Sequence, residues 1–174
     1  MWTTRFNRRA VAGMVLAALW SPVAAQAAPL PAPSGEVVLR IDGEIETVTA
    51  DGVAAFDLAG LEALPVVTMT TSTPWTDGVA TFDGVLLKDL LALVGARGST
   101  IVATAFNDYS VRFPARDEHG MEPLVAYRLN GEPMSVRDKG PLWIVYPYDQ
   151  NLAAQSETYY SRSIWQVVRI TVSP

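Results

Sequence analysis

Apolar residues recur along this chain with two different spacings, and the spacing sorts the segments. Leu86, Leu87, Leu90, Leu91 and Val94 follow a helical period, and Gly95 stands where a left-handed turn can end the helix. In "AFDLAGLEALP", Leu58, Leu61 and Leu64 share a helical face, Asp57 can cap it and Pro65 stops it. The other apolar runs are short. Val37 to Ile41 and Glu44 to Val48 read as a hairpin around Asp42-Gly43, and Val66 to Thr70 as the next strand. Further strands are predicted over Ile101 to Phe106, Tyr109 to Phe113, Leu124 to Leu129, Leu142 to Tyr146 and Ile164 to Val172, with a turn at Asn130-Gly131. Strands outnumber helices and the two do not alternate. The expected class is therefore α+β, a mixed, mostly β sheet core with a few short helices.

The first 27 residues change the picture of the whole. Arg5, Arg8 and Arg9 precede the apolar run Ala10 to Trp20, and Ala25-Gln26-Ala27 supplies small residues for cleavage. This is the pattern of a secretory signal peptide, and its run is about half of the ~20 residues that cross a bilayer. A cleaved leader over residues 1–27, a Pro-rich lead-in over 28–35 and a single domain over 36–174 are expected, with a periplasmic location and no stable membrane insertion. Arg8-Arg9 leaves open a twin-arginine route, although Ala10, Val11 and Ala12 suit ordinary unfolded export better.

Loss of the leader removes three arginines and no acid, taking the net charge from −5 to −8. Such a surface repels nucleic acid and anionic lipid, so neither is expected as a partner. The chain contains no cysteine. That removes disulfides, thiolate metal sites and cysteine nucleophiles together. The P-loop, dinucleotide, EF-hand and Gly-x-Ser-x-Gly patterns are also missing.

Candidate chemistry lies in the loops "TTSTPWTDG", "FNDYS", "SVRDKGPLW" and "YPYDQNLAAQSETYYSRSIW", which are rich in aromatic and charged residues. Arg112, Arg137, Lys139 and Arg162 can hold an anion, while Asn107, Asp108 and Tyr109 can hydrogen-bond a flat ring. Trp75, Trp143, Tyr148 and Trp165 can stack on one, although Trp143 and Trp165 sit in apolar strands and suit the core at least as well. The plainer readings are a turn held by Asp108, a solvated hairpin tip at Arg137 and Lys139, and hydroxyls at Thr70, Thr71 and Ser72 that satisfy backbone at a strand end. The lone histidine, His119, has Asp117, Glu118 and Glu122 nearby, but neighbouring residues rarely converge on one metal.

The order "FDGVLLKDLLALVGA", "NDYSVRFP", "LVAYRLNGEPMSVRDKGPLWIVYP" and "WQVVRITV" resembles the molybdopterin-binding domain of sulfite-oxidase-like oxidoreductases, and most nearly the small exported bacterial proteins that carry this domain alone. The resemblance runs from about Val66 to the C-terminus. It implies that the strand before the aromatic-x-Gly-Val segment ends in a cysteine that binds molybdenum. Counting back from Trp75 places that position at Thr71, with Thr70 as the alternative. An alcohol does not ionise onto a metal at neutral pH as a thiol of pKa about 8.5 does.

Two functions follow from the resemblance. The first is a non-catalytic module that recognises a small molecule or an envelope protein such as a membrane sensor, with no cofactor expected. The second is a molybdopterin-dependent oxidoreductase that passes electrons to a separate haem carrier. The strand-end loop at Thr70 and Thr71, the "NDYS" turn and the "RDKGP" turn are expected to face one cleft.

Overall fold

The computed structural model describes residues 30–50 and 52–174; the expected leader over 1–27 lies outside the described residues. Two five-stranded sheets enclose one apolar core. The first contains β1 (Val37–Gly43) and β2 (Ala54–Asp57), which lead into helix α1 (Leu58–Glu62). The second begins with β3 (Val67–Ser72) and β4 (Val79–Leu86), which lead into helix α2 (Leu87–Leu93). Then come β5 (Thr100–Ala105), β6 (Ser110–Pro114), β7 (Leu124–Leu129), β8 (Glu132–Pro133), β9 (Trp143–Val145), helix α3 (Glu157–Arg162) and β10 (Val167–Ser173).

The first sheet has the order β2-β1-β10-β5-β6, and the second β3-β4-β7-β8 with β9 on β7. The last strand lies parallel to the first, Arg40 opposite Arg169 and Ile41 opposite Ile170, so both ends of the domain meet in mid-sheet. In β5 the residues alternate between buried Ile101, Ala103 and Ala105 and half-buried Thr100, Val102 and Thr104, the mark of a sheet with one covered face. Leu39, Ile41, Phe82, Ile101, Leu124, Trp143 and Ile170 are fully buried between the sheets.

The two predicted helices form where the local signals place them. Asp57 caps α1 by accepting from the Gly60 amide at 2.7 Å, and Gly95 follows α2 with φ of +63°. Asn130 and Gly131, both at positive φ, make the predicted turn between β7 and β8.

The predicted hairpin at Asp42-Gly43 does not form. Both edges of β1 are occupied, by β2 and β10, and Glu44 to Val48 has another task. The Glu46 and Thr47 amides both donate to the Val94 carbonyl, at 2.9 and 3.0 Å, and so satisfy an acceptor left free at the end of α2. Strand β4 was not predicted. Its alternating Ala80, Phe82 and Gly84 are buried, but a register shift at Asp83 and Gly84 disguises the period.

Candidate functional site

Strand β3 delivers Thr71 to the interior, where it is fully buried. Its hydroxyl donates to the Ser72 carbonyl at 3.2 Å and accepts from the Asp149 amide at 3.1 Å. Asp149 reaches back in turn, its carboxylate accepting from the Ser72 amide and the Ser72 hydroxyl, both at 2.5 Å. Those two bonds hold the Asp149 carboxyl below its usual range, the hydroxyl of Ser72 contributing most. Residues 71, 72 and 149 thus form a clasp that fastens the strand-end loop to the segment after β9. Thr70, one residue earlier, is exposed.

Beyond the clasp the loop turns on its own hydroxyls. Thr73 accepts from the Trp75 amide at 3.1 Å and bonds the Thr76 hydroxyl at 3.0 Å. The bend lays Trp75 against three other rings, edge to face: Trp165 at 5.5 Å, Tyr160 at 5.9 Å and Trp143 at 6.0 Å. Trp143 is wholly core, whereas Trp165 is 37% exposed, so the two tryptophans that sequence treats alike are split by position.

The rings of Trp75, Tyr160 and Trp165 border a cleft of about 300 Å³ lined also by Asn107, Tyr109 and Gln166 among others. No side chain that lines it is charged. Asn107 accepts from the Tyr109 amide at 3.2 Å, which leaves its NH₂ group to donate. Gln166 donates through its own NH₂ to the Val136 carbonyl at 2.6 Å, which leaves its oxygen to accept. The cleft therefore offers aromatic walls, a donor and an acceptor.

The other expected residues are distributed around it. Asp108, at φ of +64°, sits in the turn between β5 and β6, and its carboxylate is not part of the lining. The "RDKGP" turn abuts the cleft through Gln166, whose amide donates to the Lys139 carbonyl at 3.1 Å. The Lys139 ammonium lies 5.6 Å over the Trp143 ring, and Arg137 is exposed. Tyr148 is buried, its phenol bonded to the Ser163 hydroxyl and pushed up to about 12 by that burial. Arg112 lines a separate groove that shares no residue with this cleft.

Arg162 points away from the cleft, to Asp117 at 3.2 Å and over the Tyr159 ring at 5.1 Å. Burial alone would raise the Asp117 carboxyl, but donation from the Met121 and His119 amides and the Tyr159 phenol, with the Arg162 charge, holds it below its ordinary value. His119 joins this network through Nδ1, 3.1 Å from the Tyr159 oxygen. No cluster of metal ligands is present among the described residues. Sequence reasoning missed Asp149, Tyr160 and Gln166, although the first two lie in a quoted loop and Gln166 adjoins a named tryptophan.

The residues do not fit the group that the resemblance implies. Thr71, to which the resemblance assigns the metal-ligand position, carries a buried neutral hydroxyl whose proton and one of whose two lone pairs are engaged. Of the four expected cations, Arg162 is paired with Asp117, Arg112 lines another groove, Lys139 lies over the Trp143 ring and Arg137 is exposed, and none of them lines the aromatic cleft. A pyrophosphate there would lack the charge-assisted bonds that hold such groups.

The fold is similar to that of the sulfane dehydrogenase SoxCD from Paracoccus pantotrophus, with a TM-score of 0.55 and 19% identity over 78% of this chain. The match covers 37% of the SoxCD chain. No curated protein matches in sequence. The family model for the oxidoreductase molybdopterin binding domain matches residues 39–151, from within β1 to two residues past Asp149 of the Thr71 clasp, and the chain belongs to that family.

Proposed function

We propose that this chain is an exported recognition module in which the family's cleft serves a small neutral ligand rather than a molybdenum centre. The observation that carries the reading is the burial of Thr71, with its hydroxyl committed to Asp149 and Ser72, on the strand whose following loop brings Trp75 to an uncharged aromatic cleft. Soft thiolate sulfur donates charge to the metal and helps set its potential, and nothing in a cysteine-free chain replaces it. Aromatic walls with one amide donor and one amide acceptor suit a flat heterocycle of about 300 Å³ or less.

The leader-like N-terminus supports a periplasmic setting. Among the described residues no helix is long and apolar enough to cross a membrane. In that compartment the module would report ligand to an envelope protein such as a membrane sensor.

The test is chemical. Protein purified from an exporting host is denatured, and the small molecules it releases are identified by mass spectrometry. A neutral aromatic compound that leaves the native protein and is absent from Trp165→Ala supports the reading. Equal release from both proteins, or release of a pterin, overturns it in favour of the alternative that family membership suggests, a molybdopterin-dependent oxidoreductase with a separate haem carrier.

A further inference from the structure

A second groove shares no lining residue with the aromatic cleft. It has a volume of about 970 Å³ and is lined by α2, the loop that follows it and the end of strand β6. Lys88, Arg97, Arg112 and Arg116 line it, and no aspartate or glutamate does. On a chain of net charge −5 this is a local reversal of sign. Leu91 and Phe113 form part of its floor, both of them buried members of the core.

The four cations are not equally engaged. Lys88 pairs with Glu122 at 3.2 Å and Arg97 pairs with Glu46, both on the exposed surface, where such pairs contribute little. Arg112 and Arg116 are exposed and make no ion pair among the described residues. Arg112 stands on β6 opposite Val102, and Arg116 follows the end of that strand. The cations therefore come from two parts of the lining, Lys88 on α2 with Arg97 in the loop after it, and Arg112 on β6 with Arg116 just beyond it.

We infer that this groove is the docking surface for an acidic segment of a partner protein, a short extended stretch that alternates carboxylates with apolar side chains. The carboxylates meet Arg112, Arg116, Lys88 and Arg97, and the apolar residues cover the floor between them. A small free anion fits less well, because the groove is wide and the cations sit at its rims instead of converging on one buried point. Guanidinium groups can meet the carboxylates of such a segment in bidentate geometry. The placement separates ligand recognition at Trp75 and Trp165 from partner recognition at β6, as a reporting module requires.

The probe is a fluorescein-labelled ten-residue peptide of alternating Glu and Val, followed by fluorescence anisotropy with the purified protein. Binding is expected to weaken about tenfold between about 50 and 300 mM salt. Arg112→Glu should weaken it by about tenfold or more, whereas Arg40→Glu, with the same change in net charge on β1, should change it less than about twofold. Arg112→Gln and Arg116→Gln together, checked for an unchanged circular dichroism spectrum, guard against a folding failure of the charge reversal. The inference is overturned if Arg40→Glu loses as much as Arg112→Glu, or if millimolar inorganic phosphate displaces the peptide completely. It is overturned equally if sedimentation shows that a second copy of this chain fills the groove and excludes the peptide.

Discussion

Thr71 makes two hydrogen bonds from a position with no access to water, and this decides what replacing it costs. Thr71→Val keeps the shape and leaves the Asp149 amide without its acceptor. The expected loss is about 1–3 kcal/mol of unfolding free energy, measured by urea titration. Thr71→Ser keeps the acceptor and should lose less. The residue scale was also where sequence was most and least informative. Asp57 was legible as a cap because its partner, Gly60, is three residues away. The Thr71 partner is Asp149, 78 residues distant, and no local pattern joins them. Asn107 and Tyr109 could be named from one short turn, whereas Tyr160 comes to the cleft only through α3, a six-residue helix with no readable apolar stripe.

At the scale of elements, several short pieces depend on single carboxylates. Asp57 joins α1 to the lead-in, accepting from the amides of Gly60, Ser34 and Gly35 and from the Ser34 hydroxyl. The Gly60 bond contributes most to holding its carboxyl below the ordinary 3.8. Asp57→Ala should therefore speed amide hydrogen exchange at Ser34, Gly35 and Gly60 together, while exchange in β7 stays unchanged. If only Gly60 responds, the lead-in is held by something else. The same scale explains the failed hairpin. Glu44 to Val48 carries a strand-like pattern, but the free carbonyl of Val94 at the end of α2 competes for its amides, and the competitor is remote in sequence from Glu46 and Thr47. Strand β4 escaped for a related reason. Its Gly84 packs against the backbone of Val125 and Ala126, and this close approach is a tertiary demand that appears locally only as a break in the apolar period.

For the whole molecule, the direction of each shift fixes how stability follows pH. Asp57, Asp117 and Asp149 are all held below their ordinary value. Their ionised forms hold the fold, so this contribution is complete above 3.8 and is lost as pH falls through the lower folded values. Tyr148 and Tyr159, raised by burial from 10.0 to about 12, act with the opposite sign. Their neutral forms are favoured by folding, and that stability is lost as pH rises from 10 towards 12. Urea midpoints measured across the range should give a plateau with falls at both ends; a continued rise below pH 3.8 would contradict the carboxylate account. The plan of the molecule was legible because family motifs mark the loops, and those loops are set by the sheets behind them. Their contents were less so, since a loop quoted as a site can be a fastener: Arg162 was expected near the cleft and instead pairs with Asp117. The central claim is that the metal-ligand position has been closed and the cleft retained for recognition. Its most direct test is the molybdenum content of the wild-type protein, purified from a host that makes the cofactor. The account predicts a folded protein with no molybdenum above background, and about one molybdenum per chain would contradict it.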